Sequence, residues 1–267
     1  MGGHTNPITF LFLQELKSII LKQHLPNLLT LLNLFSGGIA VFYAIENQFE
    51  AAALFVCLGI FFDFFDGLAA RALDVQSELG LQLDSLADMV TSGLVPGIVM
   101  CKLLDMAWSG HALGESWGDD ISWLSLSIEP LALFGLLITL ASAYRLANFN
   151  VDEDQQSYFK GLPTPANALL IIALPLIIEY SNYPIAETLL NNPWVLIGIT
   201  VLSAFLLNAR VKLFALKFKT YSLKANKMRY GFLLLTVVLL VIFNLVAVPL
   251  IILLYIIISV FNQKHIH

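Results

Sequence analysis

Asp63-Phe64-Phe65-Asp66-Gly67-Leu68-Ala69-Ala70-Arg71, then eight residues, then Gly80-Leu81-Gln82-Leu83-Asp84-Ser85-Leu86-Ala87-Asp88: these two blocks hold four carboxylates at helical spacing. The acids sit at the ends of two strongly apolar segments, 51–65 and 86–104. A carboxylate at membrane depth is expensive, so an intramembrane acid points to function by default. Spacings of three and four put Asp63, Asp66 and Ala70 on one helix face and Asp84 above Asp88 on another. Two such faces brought together make an all-oxygen cage, which suits hard divalent ions such as Mg²⁺ or Mn²⁺ and not zinc. Arg71 offers a forked donor for phosphate, or anchors the helix at a membrane surface. Gly67 and Gly80, lacking a Cβ, let the backbone approach a nucleotide closely, or else serve a helix end or a helix contact.

The rest of the chain extends this reading. Hydrophobic residues make up 58% and charged residues 12%, against about 25% charged in soluble domains. The composition predicts an all-α, polytopic transmembrane bundle. Expected spans are about 26–45, 51–71, 80–104, 130–146, 165–180 and 194–208, with Pro26 opening the first. The final apolar stretch, 231–261, is 31 residues long, where one crossing needs about 20. Asn244 and Pro249 near its middle predict a tight re-entry, giving about eight spans in all. Residues 8–24 mix apolar positions with Glu15, Lys17 and Lys22, as an interfacial amphipathic helix would, and show no cleavable leader. The expected organisation is a juxtamembrane segment (1–25), a transmembrane core (26–208), and a basic loop with a C-terminal hairpin (209–267). Trp108, Trp117 and Trp123, in and beside a polar segment, are candidate interfacial anchors. Cys57 and Cys101 lie in apolar segments and read as packing residues.

Charge asymmetry sets the orientation. With eight spans and the N-terminus inside, only Lys102 of the fourteen Lys and Arg residues falls near the outside. The outer connections carry acids, among them Glu46, Glu50, Asp105, Glu179 and Glu187. The acidic cage is therefore expected at the cytoplasmic face of the inner membrane. Nothing in the chain suggests a nucleic-acid partner.

The pattern Asp63-x2-Asp66-Gly67-x2-Ala70-Arg71-x8-Gly80-x3-Asp84-x3-Asp88 resembles the signature of the CDP-alcohol phosphotransferase family at each of its eight fixed positions. The resemblance implies a six-helix core, a homodimer, and transfer of a phosphatidyl group from CDP-diacylglycerol to an alcohol, with two divalent cations at the site. It implies that Asp63 and Asp84 bridge the two ions, that Asp66 serves one, and that Asp88 is both ligand and general base. It also implies that Ser77 contacts CDP-diacylglycerol and that Asn27 and Thr30 face the cytidine, although the latter two also suit a helix start. Residues 26–33, 80–88, 144–150 and 159–166 are similar to the serine-using bacterial branch of the family. L-Serine is a zwitterion and its carboxylate needs a cation. Arg145 is the first candidate and Lys160 the second, both otherwise loop anchors. Asn148 stands where the family usually has a basic residue. Two other readings stay open: a sister enzyme using glycerol 3-phosphate or an inositol compound, and a divalent-cation transporter. The acids Asp152, Glu153 and Asp154 beside the candidate cations disfavour a phosphorylated acceptor. The transporter leaves Gly67, Ala70 and Arg71 without a role.

Overall fold

In the computed structural model, residues 7–110, 129–151, 159–180, 182–213 and 227–261 are described. The first helix, α1 (Pro7–Ile45), is one rod of 39 residues. It runs through Pro26 instead of starting there, which corrects the expected boundary. Pro26 forfeits a single backbone bond, and a membrane helix held on both sides tolerates that loss. The expected interfacial segment is thus continuous with the helix of the first span, which qualifies as a span from His24 to Ile45. The side chains of residues 7–23, on which its amphipathicity depends, lie outside the described set.

Helix α2 (Phe49–Ala72) returns alongside α1. The following span has three parts: α3 (Glu78–Asp88), a π-helical turn (Met89–Leu94) and α4 (Val95–Ser109). A 3₁₀ turn (Pro130–Gly135) leads into α5 (Leu136–Val151). Then come α6 (Thr164–Tyr180), the short α7 (Pro184–Leu190), and α8 (Pro193–Asn208), bent 78° from α7. The last two helices are α9 (Lys227–Phe243) and α10 (Ala247–Phe261), joined by a 3₁₀ turn (Asn244–Val246). Among the described residues the only strands are two-residue pieces, β1 (Phe159–Lys160) and β2 (Lys212–Leu213), paired antiparallel. They tie two connections together and leave the fold all-helical.

Side-chain contacts fix the direction of each helix. Ser85 of α3 meets Asn150 at the end of α5. Asn167 near the start of α6 meets Ser203 near the end of α8. Trp108 and Trp194 pack at the opposite end of the bundle. The rings of Phe232 and Tyr255 lie 5.9 Å apart although 23 positions separate them in the chain, so α9 and α10 fold back on each other. Asn244 turns the chain there with φ 49°. Pro249 falls in the first turn of α10, where its missing N–H costs little. Among the described residues the helices therefore run as antiparallel pairs: α1 and α2, α3–α4 and α5, α6 and α8, α9 and α10.

By length and apolarity, five stretches qualify as membrane spans: His24–Ile45, Phe49–Ala72, Glu78–Ser109, Pro130–Val151 and Tyr230–Phe261. The α7–α8 pair makes a sixth if it is one broken span, and α6 is shorter. The last of the five is the α9–α10 hairpin and not one rod. The chain is thus an integral membrane helical bundle. Its centre is the Glu78–Ser109 span, the most buried of the five. Val99, Met100 and Leu103 of that span pack with Ala40 and Ala44 of α1, Val56 of α2 and Ile171 of α6. At the end away from the α2–α3 turn, Lys102 is buried within electrostatic reach of Asp105 and Glu46. Trp117 and Trp123 lie outside the described residues.

Candidate active site

α2 and α3, joined by a short turn, both pack on α1 and bring their acidic side chains toward each other. Ser77 opens α3 as its N-cap, its hydroxyl accepting the Gly80 N–H at 3.0 Å. A Cβ on Gly80 would lie 3.2 Å from that hydroxyl and 3.4 Å from Asn27 Oδ1. Asn27, Ser77 and Gly80 thus converge where α1 meets α3.

Three of the four acids come together. Ligand oxygens of Asp63, Asp66 and Asp84 all lie within 4.8 Å of one another. Oxygens around one small hard cation at about 2.1 Å stand roughly 3 to 4.2 Å apart, so a slight contraction makes the set fit Mg²⁺ or Mn²⁺. Asp63 and Asp84 are in hydrogen-bond contact. Carboxylates this close repel unless they share a proton or a cation. Asp88 stands one turn further along α3, outside that three-residue set but electrostatically coupled to Asp63 and Asp84. It is buried, and its Oδ1 accepts from Asn33 Nδ2 at 3.3 Å.

Thr30 is buried and donates to Asp66 Oδ2 at 2.6 Å. The Pro26 carbonyl lies 3.1 Å from the same hydroxyl. Thr30 is therefore the partner of an acid of the cluster, a contact the sequence did not suggest. Arg71 is exposed in the last turn of α2, where a cation complements the helix dipole. A Cβ on Gly67 would meet the Arg71 guanidinium at an ordinary 3.5 Å, so Gly67 leaves room over that cation without being forced by a clash. Ala70 is half-buried on the same helix.

Arg145 comes to the site from α5. It is 9% exposed, interacts electrostatically with Asp88, and its Nε has no hydrogen-bond partner among the described residues. Asn150 fixes α5 against α3: its Oδ1 accepts from Ser85 Oγ at 3.1 Å and its Nδ2 donates to Gln82 Oε1 at 3.3 Å. Lys160 contributes its backbone to β1, and its side chain lies outside the described set. Sequence reasoning did not assign Asn33, Thr91 or Asn150 to the site. A signal for Asn33 was present, since Asn27, Thr30 and Asn33 recur every third residue on one face of an otherwise apolar helix.

A model of the CDP-alcohol phosphatidyltransferase family matches residues 23–203. The chain is 28% identical over 156 residues to CDP-diacylglycerol–serine O-phosphatidyltransferase of Bacillus subtilis, covering 57% of this chain and 75% of that protein. It is 31% identical over 150 residues to the protein of the same name from Helicobacter pylori, covering 55% of each. It is 29% identical over 181 residues to archaetidylserine synthase of Methanothermobacter thermautotrophicus, covering 67% of this chain and 66% of that one. The match spans about half of the Mycobacterium tuberculosis relative, at 49% of its length.

Proposed function

The chain belongs to the CDP-alcohol phosphatidyltransferase family, and from that premise we propose that it transfers the phosphatidyl group of CDP-diacylglycerol to the hydroxyl of L-serine, releasing CMP. The observation that carries the reading is the Asp63, Asp66 and Asp84 cluster with Asp88 and Arg145 at its side. The names of the Bacillus and Helicobacter relatives support serine as the acceptor.

Asp63, Asp66 and Asp84, joined by Asp88 where two ions bind, would hold Mg²⁺ or Mn²⁺. Such ions, when bound, neutralise pyrophosphate charge and so favour the leaving of CMP. Arg145 pairs with the serine carboxylate, which brings the serine hydroxyl to Asp88. Asp88 accepts the hydroxyl proton. The serine oxygen bonds to the phosphorus that carries diacylglycerol, and the bond from that phosphorus to the oxygen bridging to CMP breaks. Arg71, Ser77, Gly80 and Asn27 line the side from which a nucleotide would enter. The charge asymmetry of the connections supports a site open to the cytoplasm.

The test uses purified protein, CDP-diacylglycerol and a panel of radiolabelled acceptors, scored for CMP release and lipid product. Serine-dependent CMP release with phosphatidylserine as product is expected. Turnover with glycerol 3-phosphate or an inositol compound in place of serine would overturn the acceptor and keep the reaction class.

A further inference from the structure

We infer that Asn33 and Thr91 form a positioning device that holds the Asp88 carboxylate in its working orientation; the inference rests on Asp88 being the base proposed above. Asn33 is completely buried in α1, and its Nδ2 donates to Asp88 Oδ1. At 3.3 Å the bond is long, as catalytic contacts often are before substrate binds. Thr91, also completely buried, lies in the π-helical turn that follows Asp88, and its hydroxyl donates to the Asn33 backbone carbonyl at 3.1 Å. The loop closes on itself: Asp88 leads to Thr91 along the chain, Thr91 grips Asn33, and Asn33 grips Asp88.

Two glycines make the space. A Cβ on Gly59 of α2 would come 2.6 Å from Thr91 Cγ2 and 2.8 Å from Asn33 Oδ1. A Cβ on Gly37 of α1 would collide with Thr91 Oγ1 and approach the Thr91 backbone to 3.0 Å. Three elements are thus drawn together around one amide.

Stability alone does not account for that amide. Asn33 Oδ1 is buried with no hydrogen-bond partner among the described residues. A buried orphan acceptor costs free energy that an apolar side chain of the same size would not. The return is the bond to Asp88. A neutral donor on Oδ1 fixes the carboxylate plane without adding charge, and leaves Oδ2 to take the proton from the acceptor hydroxyl.

The test measures kcat, both KM values and the thermal midpoint of the purified enzyme with CDP-diacylglycerol and serine. Asn33→Leu is expected to lower kcat about 10- to 100-fold, the scale of a misplaced catalytic group, with the KM for CDP-diacylglycerol unchanged and the midpoint not lowered. Thr91→Val keeps the shape and loses the hydroxyl; Thr91→Ser keeps the hydroxyl and loses the methyl against Gly59. If the device is real, kcat falls in Thr91→Val and recovers in Thr91→Ser even though the latter is the less stable. If kcat follows the methyl instead, or Asn33→Leu turns over normally, Asn33 and Thr91 are packing residues and the inference fails. Asp88→Asn separates the two readings. A dead Asp88→Asn beside a normal Asn33→Leu overturns the device alone, and an active Asp88→Asn overturns the base and the device with it.

Discussion

Arg145 is a guanidinium inside a membrane protein whose Nε–H has no partner among the described residues, which gives it a measurable signature. If it holds the serine carboxylate, Arg145→Lys keeps the charge and loses the fork. The KM for serine should rise about ten- to a hundred-fold, the scale of one charge-assisted contact, while the KM for CDP-diacylglycerol stays put. Initial rates with each substrate varied in turn check this. Equal values in wild type and variant would leave Arg145 a helix anchor. The Asp63, Asp66 and Asp84 cluster predicts that chelation by EDTA abolishes CMP release and that Mg²⁺ or Mn²⁺ restores it, because an all-carboxylate set holds hard ions. Full activity after exhaustive chelation would remove the metals from the reaction. The acids were legible in the sequence because charge inside an apolar run is costly and helical spacing places it. Asn33 was not, because an amide in a membrane helix has many routine uses, and its partner Asp88 lies 55 positions away.

At the scale of elements, α1, α2 and the π-helical turn approach one another closely at Gly37, Gly59 and Thr91. Gly59→Ala would force the methyl against Thr91 and Asn33. Overpacking of this kind costs about 1–3 kcal/mol, so the thermal midpoint in detergent should fall, and CMP release with it. An unchanged midpoint would mean that α1 and α2 can part freely. The spans themselves were readable from apolar length. The start of α1 was not, because Pro26 is as compatible with an interior position in a held helix as with a first turn. The π-helical turn was not readable either: Val90, Thr91, Ser92 and Gly93 are weak helix formers, but such a run does not say which departure from the α-helix follows.

Across the whole molecule, the pairing of Phe232 with Tyr255 sets Lys227 and Phe261 at the same end of the bundle. Leu213 and Leu162 pack against the same hairpin. Thus β1, β2 and the open end of the hairpin lie at the end that carries the acids. Residues 210–229 hold seven of the fourteen Lys and Arg residues and no acid, and are expected to face anionic headgroups from the cytoplasm. A single cysteine placed in 214–226, in a chain with Cys57 and Cys101 replaced, should resist membrane-impermeant thiol reagents in intact cells and react in inverted vesicles. Labelling from outside would reverse the orientation and with it the side on which the site opens. The span through the middle of the bundle has one further property. Its π-helical turn is an α-helix that has taken in an extra residue. A deletion within Met89–Leu94 can therefore be absorbed by closing the bulge into a regular α-helix, which keeps Asp84 and Asp88 on one side and α4 on the other near their present faces. In terms of descent, this is a joint of the span where chain length can change while the acidic face keeps its register.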